Sequence, residues 1–129
     1  MIKNFLTIFL IFFTAELFAQ TGDSLAIDSC YKTTYATFYH KKFEGRKTTS
    51  GAKYRAKLLT AAHLTLPFGT KVLVKNLTNG KTVEVTINDR GPHSKKFGID
   101  LSEQAARNIG MYKSGVAKVE IFYILPKDI

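Results

Sequence analysis

What the 129-residue chain lacks already narrows its chemistry. It has one cysteine, which excludes an internal disulfide framework and a cysteine-rich zinc site. His40, His63 and His93 are scattered with no H-x-x-x-H pairing, and no Cys-x-x-Cys is present. No metal is therefore expected, and no motif asks for a cofactor. No G-x-S-x-G elbow accompanies the serines, and Cys30 lies in a polar stretch that gives a nucleophile no fixed position. Acyl transfer is disfavoured on both counts. Acidic residues are scarce too, with 10 Asp+Glu against 19 Lys+Arg and a formal net charge of +9. That imbalance suits a polyanionic partner: nucleic acid, anionic lipid or acidic wall polymer.

Only one long hydrophobic run is present, at the start. Residues 1–19 contain 14 apolar side chains, including five of the ten phenylalanines. Lys3 precedes the run from Phe5 to Phe13, and Leu17-Phe18-Ala19 ends it with a small residue. The run is too short to cross roughly 30 Å of hydrocarbon at about 1.5 Å per residue. It reads as a cleaved export signal and not a stable membrane anchor. Cys30 follows Ile27-Asp28-Ser29, too polar for a lipoprotein cleavage site. Removing residues 1–19 takes away Lys3 and Glu16, one charge of each sign, so the exported chain keeps the whole +9. Export to the periplasm or beyond the cell makes nucleic acid the weakest of the three partners.

The remaining length supports one domain with one core, expected as a monomer. Residues 20–32 are polar without periodicity and read as a flexible leader; the folded domain is expected over 33–126. Tyr35-Ala36-Thr37-Phe38-Tyr39 has the content of a strand, and Lys41–Lys57, with Gly45 and Gly51, that of a long loop. Val83, Val85 and Ile87 alternate with Thr82, Glu84 and Thr86, the period of a half-buried strand. That strand pairs with Lys71–Lys75 through Asn79-Gly80, a pair suited to a tight type I′ turn. Val116–Leu125 is a last strand. One helix stands out, with Ser102 as cap, Glu103 at its positive end, Ala105, Ala106 and Ile109 facing inward, and Gly110 stopping it. Short strands, one small helix and long loops predict a mainly β chain closed into a small barrel.

Two aspartates could carry acid–base chemistry. Asp89, in Asn88-Asp89-Arg90-Gly91-Pro92, sits where a strong strand ends abruptly. Asp100 stands between Ile99 and Leu101, just ahead of the helix. Apolar neighbours strip hydration from a carboxylate and raise its pKa, which is what a general acid for glycosidic cleavage requires. The plainer alternatives are a turn or salt bridge with Arg90 for Asp89, and a helix-start partner for Asp100. His63, among small residues, suits a hydrogen-bonded structural role as well as a catalytic one. Phe38, Tyr39 and Phe43 could stack on sugar rings or simply pack.

The ordered segments Phe43-Glu44-Gly45-Arg46-Lys47-Thr48, Thr60-Ala61-Ala62-His63, Leu66-Pro67-Phe68-Gly69-Thr70, Asn76-Leu77-Thr78-Asn79-Gly80, Asn88-Asp89-Arg90-Gly91-Pro92 and Ile99-Asp100-Leu101-Ser102 resemble the rare lipoprotein A family, the septal-ring lytic transglycosylases. The resemblance runs from about Tyr35 to Leu125. It implies a six-stranded double-psi β-barrel, the fold of expansins, acting on peptidoglycan glycan strands to leave 1,6-anhydro-muramic ends. Asp100, Asp89 and His63 match polar residues of that family's groove, with Asp100 as acid/base, Asp89 holding charge and His63 donating a hydrogen bond. Tyr39, Phe43, Arg55 and Arg90 are candidate substrate contacts.

One departure stands against this. After Thr49-Ser50-Gly51 the family typically carries a glutamate, often with an aspartate three residues later; this chain has Ala52 and Arg55. Alanine cannot transfer a proton, and a cation beside Asp100 or Asp89 would lower its pKa while favouring an acidic ligand. The alternative reading is thus a non-catalytic, glycan-binding barrel of the expansin type.

Overall fold

A computed structural model describes residues 27–126. The export signal over 1–19, and the part of the expected leader before Ile27, lie outside the described residues. Six strands form a closed barrel in the order β1-β5-β2-β4-β3-β6. They are β1 (Ile27–Phe38), β2 (Thr60–Ala62), β3 (Lys71–Asn76), β4 (Thr82–Asp89), β5 (Phe97–Leu101) and β6 (Ala117–Pro126); among the described residues one α-helix, α1 (Glu103–Asn108), lies between the last two. The pairs β1/β5 and β2/β4 are parallel, while β2/β5, β3/β4, β1/β6 and β3/β6 are antiparallel.

Alternation places the core. Val72 and Val74 of β3, Val83, Val85 and Ile87 of β4, Ile99 and Leu101 of β5, and Val119 and Ile121 of β6 all point inward and are buried. The helix closes one end of the barrel with Ala105, Ala106 and Ile109. Ser102 caps it by accepting the Ala105 N–H at 3.3 Å, and Gly110, at φ +71°, reverses the chain after it. Buried Asn76 ties the helix end to β3, its side-chain amide donating to the Ile109 carbonyl at 2.8 Å. Among the described residues no helix is long and apolar enough to cross a membrane.

Two local expectations change, and two strands appear where none is expected. First, β1 starts at Ile27, inside the stretch read as a flexible leader, and Ile27–Lys32 pairs residue by residue with β6. Ser29, Cys30, Tyr31 and Lys32 are all exposed there. With no core beneath either face, no hydrophobic period is needed, and the backbone ladder plus Tyr31 against Phe122 at 4.6 Å holds the strand. Second, the β3–β4 connection is wider than a type I′ turn. That turn needs positive φ at both central residues, but only Gly80 has it. The Asn76 N–H instead closes on the Lys81 carbonyl at 2.9 Å, and the Gly80 N–H bonds the Asn76 carbonyl at 2.7 Å. The two added strands, β2 and β5, have three and five residues, too short to announce themselves by periodicity.

Candidate functional site

Those two short strands build the site. Across the barrel wall, Thr37 of β1 pairs with Asp100 of β5, Asp100 with Ala62 of β2, and Ala62 with Asp89 of β4. Neighbouring strands lie about 4.8 Å apart, so the two aspartates stand roughly 10 Å apart at their Cα atoms, either side of Ala62. Ala62 contributes only a methyl group, which leaves the floor between them shallow. The row lies on the outer face, because Ala61, Ile87, Ile99 and Leu101 beside it point into the core.

Aromatic residues wall this floor. Tyr39, just beyond β1, stacks on Tyr54 at 4.3 Å with ring planes 11° apart, and Phe43 meets Tyr39 edge-on at 6.0 Å. Tyr39, Tyr54 and Ala62 form a small buried cluster apart from the main core. The Tyr39 hydroxyl donates to Asp89 Oδ2 at 2.5 Å. The loop over 48–52 reaches the same carboxylate, with the Thr49 N–H donating to Asp89 Oδ1 at 2.9 Å. Arg90's own N–H is the third donor to the carboxylate, meeting Oδ1 at 2.9 Å. Ala52 lies in that loop, its carbonyl accepting the Thr48 N–H at 2.8 Å.

The two carboxyl groups are driven in opposite directions. Burial lifts Asp100 from an ordinary 3.8 to about 6. Thr37 Oγ1, donating at 3.1 Å, offsets part of that rise, and the negative charge of Asp89 adds to it. Burial also acts to raise Asp89, but donors from Tyr39, Thr49 and Arg90 outweigh it and hold the carboxyl below its usual value. Asp100 thus keeps a proton far closer to neutrality than Asp89 does. Paired carboxyls with separated pKa values mark an acid beside a fixed anion.

The other candidates fall in different places. His63 follows Ala62 directly, and its Nδ1 accepts the N–H groups of Thr65 and Leu66, each at 3.1 Å. Its proton therefore sits on Nε2, and burial, with Lys32 and Arg90 nearby, lowers its pKa. His63 is thus a neutral ring anchoring its own loop; among the described residues its side chain bonds neither aspartate. Arg90 supports the same loop, donating to the carbonyls of His63 at 3.2 Å and Leu66 at 2.7 Å, with its guanidinium 4.0 Å from the Phe68 ring centre. Tyr39 is 9% exposed with one face against Tyr54, so it positions Asp89 and offers no open ring to a sugar. Phe43 is half-buried and has the Arg46 guanidinium at 5.2 Å.

Arg55 overturns one expectation. It does not depress either carboxyl but faces Glu44, with Nη1 at 3.6 Å from Oε1. No cation enters the balance at Asp100, and the low value of Asp89 comes from hydrogen bonds. Nor is Asp100 a helix-start partner, because Ser102 fills that role and the Glu103 N–H goes to the Tyr54 hydroxyl at 3.1 Å. Sequence alone does not single out Thr37 or Tyr54. Thr37 carries a signal, since it alternates outward between Ala36 and Phe38; Tyr54 sits in irregular chain with no periodic signal.

Comparisons with known proteins bear on the family and the fold. A family model described as lytic transglycolase matches residues 18–121. The endolytic peptidoglycan transglycosylase RlpA of Pasteurella multocida is 58% identical over 86 residues, covering 67% of this chain and 29% of that protein. The RlpA of Haemophilus influenzae is 52% identical over 93 residues, 72% of this chain and 32% of that protein. The chain spans about a third of the length of these curated relatives. Among solved structures, the Streptomyces papain inhibitor superposes with a TM-score of 0.60 at 23% identity, over 79% of this chain and 99% of that one. An expansin of Clavibacter michiganensis in complex with cellohexaose gives 0.60 at 20% identity, over 73% of this chain and 50% of that one. At such identities the structural likeness speaks to the fold alone.

Proposed function

The chain belongs to the lytic transglycolase family, and from that premise we propose that it cleaves the glycan strands of peptidoglycan, outside the cytoplasm, without using water. The observation that carries this reading is the split between Asp100, raised to about 6, and Asp89, held low one strand beyond Ala62.

Asp100 is the acid. Its proton passes to the bridging oxygen as the bond to the anomeric carbon of muramic acid breaks, and the neighbouring sugar leaves with a free hydroxyl. The muramic 6-hydroxyl then forms the new bond to the anomeric carbon, and its proton returns to the Asp100 carboxylate. One group serves as acid and then base, so the close carboxylate pair of a retaining hydrolase is not needed. Attack from within the same sugar gains from an effective concentration on the order of 10⁵ M or more. Asp89 has both oxygens occupied by donors, which suits it to a fixed negative charge facing the positive charge that grows on the sugar ring. Tyr39, Thr37 and Arg90 are positioning residues in this scheme. His63 offers its Nε2 proton to the substrate. The net charge of +9 holds the protein to an acidic wall.

Ala52 favours a second reading. The loop that covers Asp89 carries a methyl group where the family typically carries a glutamate, and a missing acid/base group typically costs about 10²–10⁴-fold in rate. In that reading the barrel binds wall glycan without cutting it. Digesting purified sacculi with the protein and analysing soluble products by mass spectrometry separates the two. Release of 1,6-anhydro-muramyl ends supports cleavage; retention of intact glycan with no such ends at high protein loading supports binding alone.

A further inference from the structure

A pocket of about 520 Å³ lies beside the site and takes no part in the chemistry above. Three cations line it: Lys41 from a 3-10 turn at Lys41–Phe43, and Arg55 and Lys57 from the irregular chain before β2. Ala56 and Leu58 give it an apolar wall, and Leu58 is 54% exposed there. Its two acidic residues are both committed. Glu44 takes the Ala56 N–H on Oε2 at 2.8 Å and faces Arg55 with Oε1 at 3.6 Å. Glu103 faces Arg107 along the helix at 3.6 Å. Among the described residues, Lys41 and Lys57 have no carboxylate within ion-pair distance.

Tyr54 joins this pocket to the groove. One face of its ring stacks on Tyr39, which holds Asp89, and its hydroxyl fixes the Glu103 N–H at the pocket's edge. The Gln104 N–H, bonded to the Ala56 carbonyl at 2.9 Å, pins the apolar wall to the helix. The Arg55–Glu44 contact is long and half-exposed, with relative side-chain exposures of 50% and 47%. An exposed pair of this kind contributes little to stability, so Arg55 can exchange partners readily. The guanidinium presents a planar fork that a carboxylate fits with two parallel bonds.

Resting on the reading of the groove as a glycan site, we propose that this pocket is a specificity subsite for a carboxylate carried on the lactyl arm of muramic acid. The arm offers a methyl group for Ala56 and Leu58, and a carboxylate for which Arg55 gives up Glu44, with Lys41 and Lys57 adding charge. The carboxylate has two possible sources: the sugar's own, in peptide-stripped strands, or that of the stem peptide attached through the arm.

The test titrates three glycan oligomers by calorimetry into chain carrying Asp100→Asn, which blocks cleavage. One oligomer is peptide-free with free lactyl carboxylates, one is the same with those carboxylates amidated, and one bears stem peptides. Carboxylate-bearing oligomers are expected to bind about tenfold more tightly than the amidated one. Adding Arg55→Ala should abolish that preference, and adding Glu44→Gln should widen it; both sites are exposed, and circular dichroism checks their folding. A preference confined to the peptide-free or the peptide-bearing oligomer supports the subsite and names its source. Equal binding of all three, or a preference that survives Arg55→Ala, overturns the subsite and leaves the glycan groove standing. Absence of binding to every oligomer overturns the groove reading and the subsite with it.

Discussion

Asp100 should cost the protein stability at neutral pH, and that cost is measurable. Its carboxyl binds a proton more tightly folded than unfolded, with a folded value of about 6 against 3.8. Between those values the folded state holds more protons than the unfolded one, so stability falls as pH rises through the window and stays lowered above it. At 1.36 kcal/mol per pH unit the difference amounts to about 3 kcal/mol; the carboxyl keeps some contact with water, so about 2–3 kcal/mol is expected. Asn at position 100 keeps the shape and still accepts the Thr37 hydroxyl, but never ionises. Urea denaturation of both chains at pH 4 and pH 7.5 reads the effect as a change in midpoint at constant slope. Asp100→Asn should gain about 2–3 kcal/mol over wild type on going from pH 4 to pH 7.5. Titrations of groups that do not interact with Asp100 cancel in the difference, and Asp89, held below its usual value, is mostly ionised at both pH values. A gap that stays constant with pH would refute the burial argument, because an exposed carboxylate has no such dependence.

Three further outcomes follow from named contacts. Tyr39→Phe removes a donor to the charged Asp89 and should cost about 1.5–3 kcal/mol at neutral pH by urea denaturation. Asp89's low pKa gives stability present above about pH 3.8 and lost as pH falls, so the gap between the two chains should shrink below that pH. Gly98→Ala puts a Cβ against the Thr34 side chain across β1/β5 and should destabilise by about 1–3 kcal/mol; an unchanged thermal midpoint would show that the barrel wall gives way easily. Asn76→Ala takes the partner from the Thr78 N–H and leaves the Ile109 carbonyl with the Asn79 amide alone, and should cost about 1–2 kcal/mol, read in the same denaturation assay.

The sequence reveals the long, one-sided strands well and the short, shared ones poorly. Val83, Val85 and Ile87 announce β4 because one face is buried and the other wet along its whole length. β2, at Thr60–Ala62, gives too few residues for any period, yet it carries Ala62, the midpoint of the aspartate row. Asp89 and Asp100 are visible as carboxylates at an abrupt strand end and between apolar neighbours. What separates their proton affinities is not visible, since Tyr39 lies 50 residues from Asp89, and Thr37 lies 63 from Asp100. Arg55 misleads for the same reason: its charge is plain in the sequence, but its partner Glu44 is fixed only by the fold of the loop between them. The start of β1 is hidden because strand pairing there buries neither face.

Under the proposed mechanism a protonated Asp100 starts the cleavage, and the pH dependence of 1,6-anhydro end release from sacculi reads that step. The wild-type rate should fall as pH rises through about 6, where Asp100 loses its proton, and Asp100→Asn should stay at background throughout. A rate that rises through that range, or an Asp100→Asn chain that keeps the full wild-type rate, would contradict it.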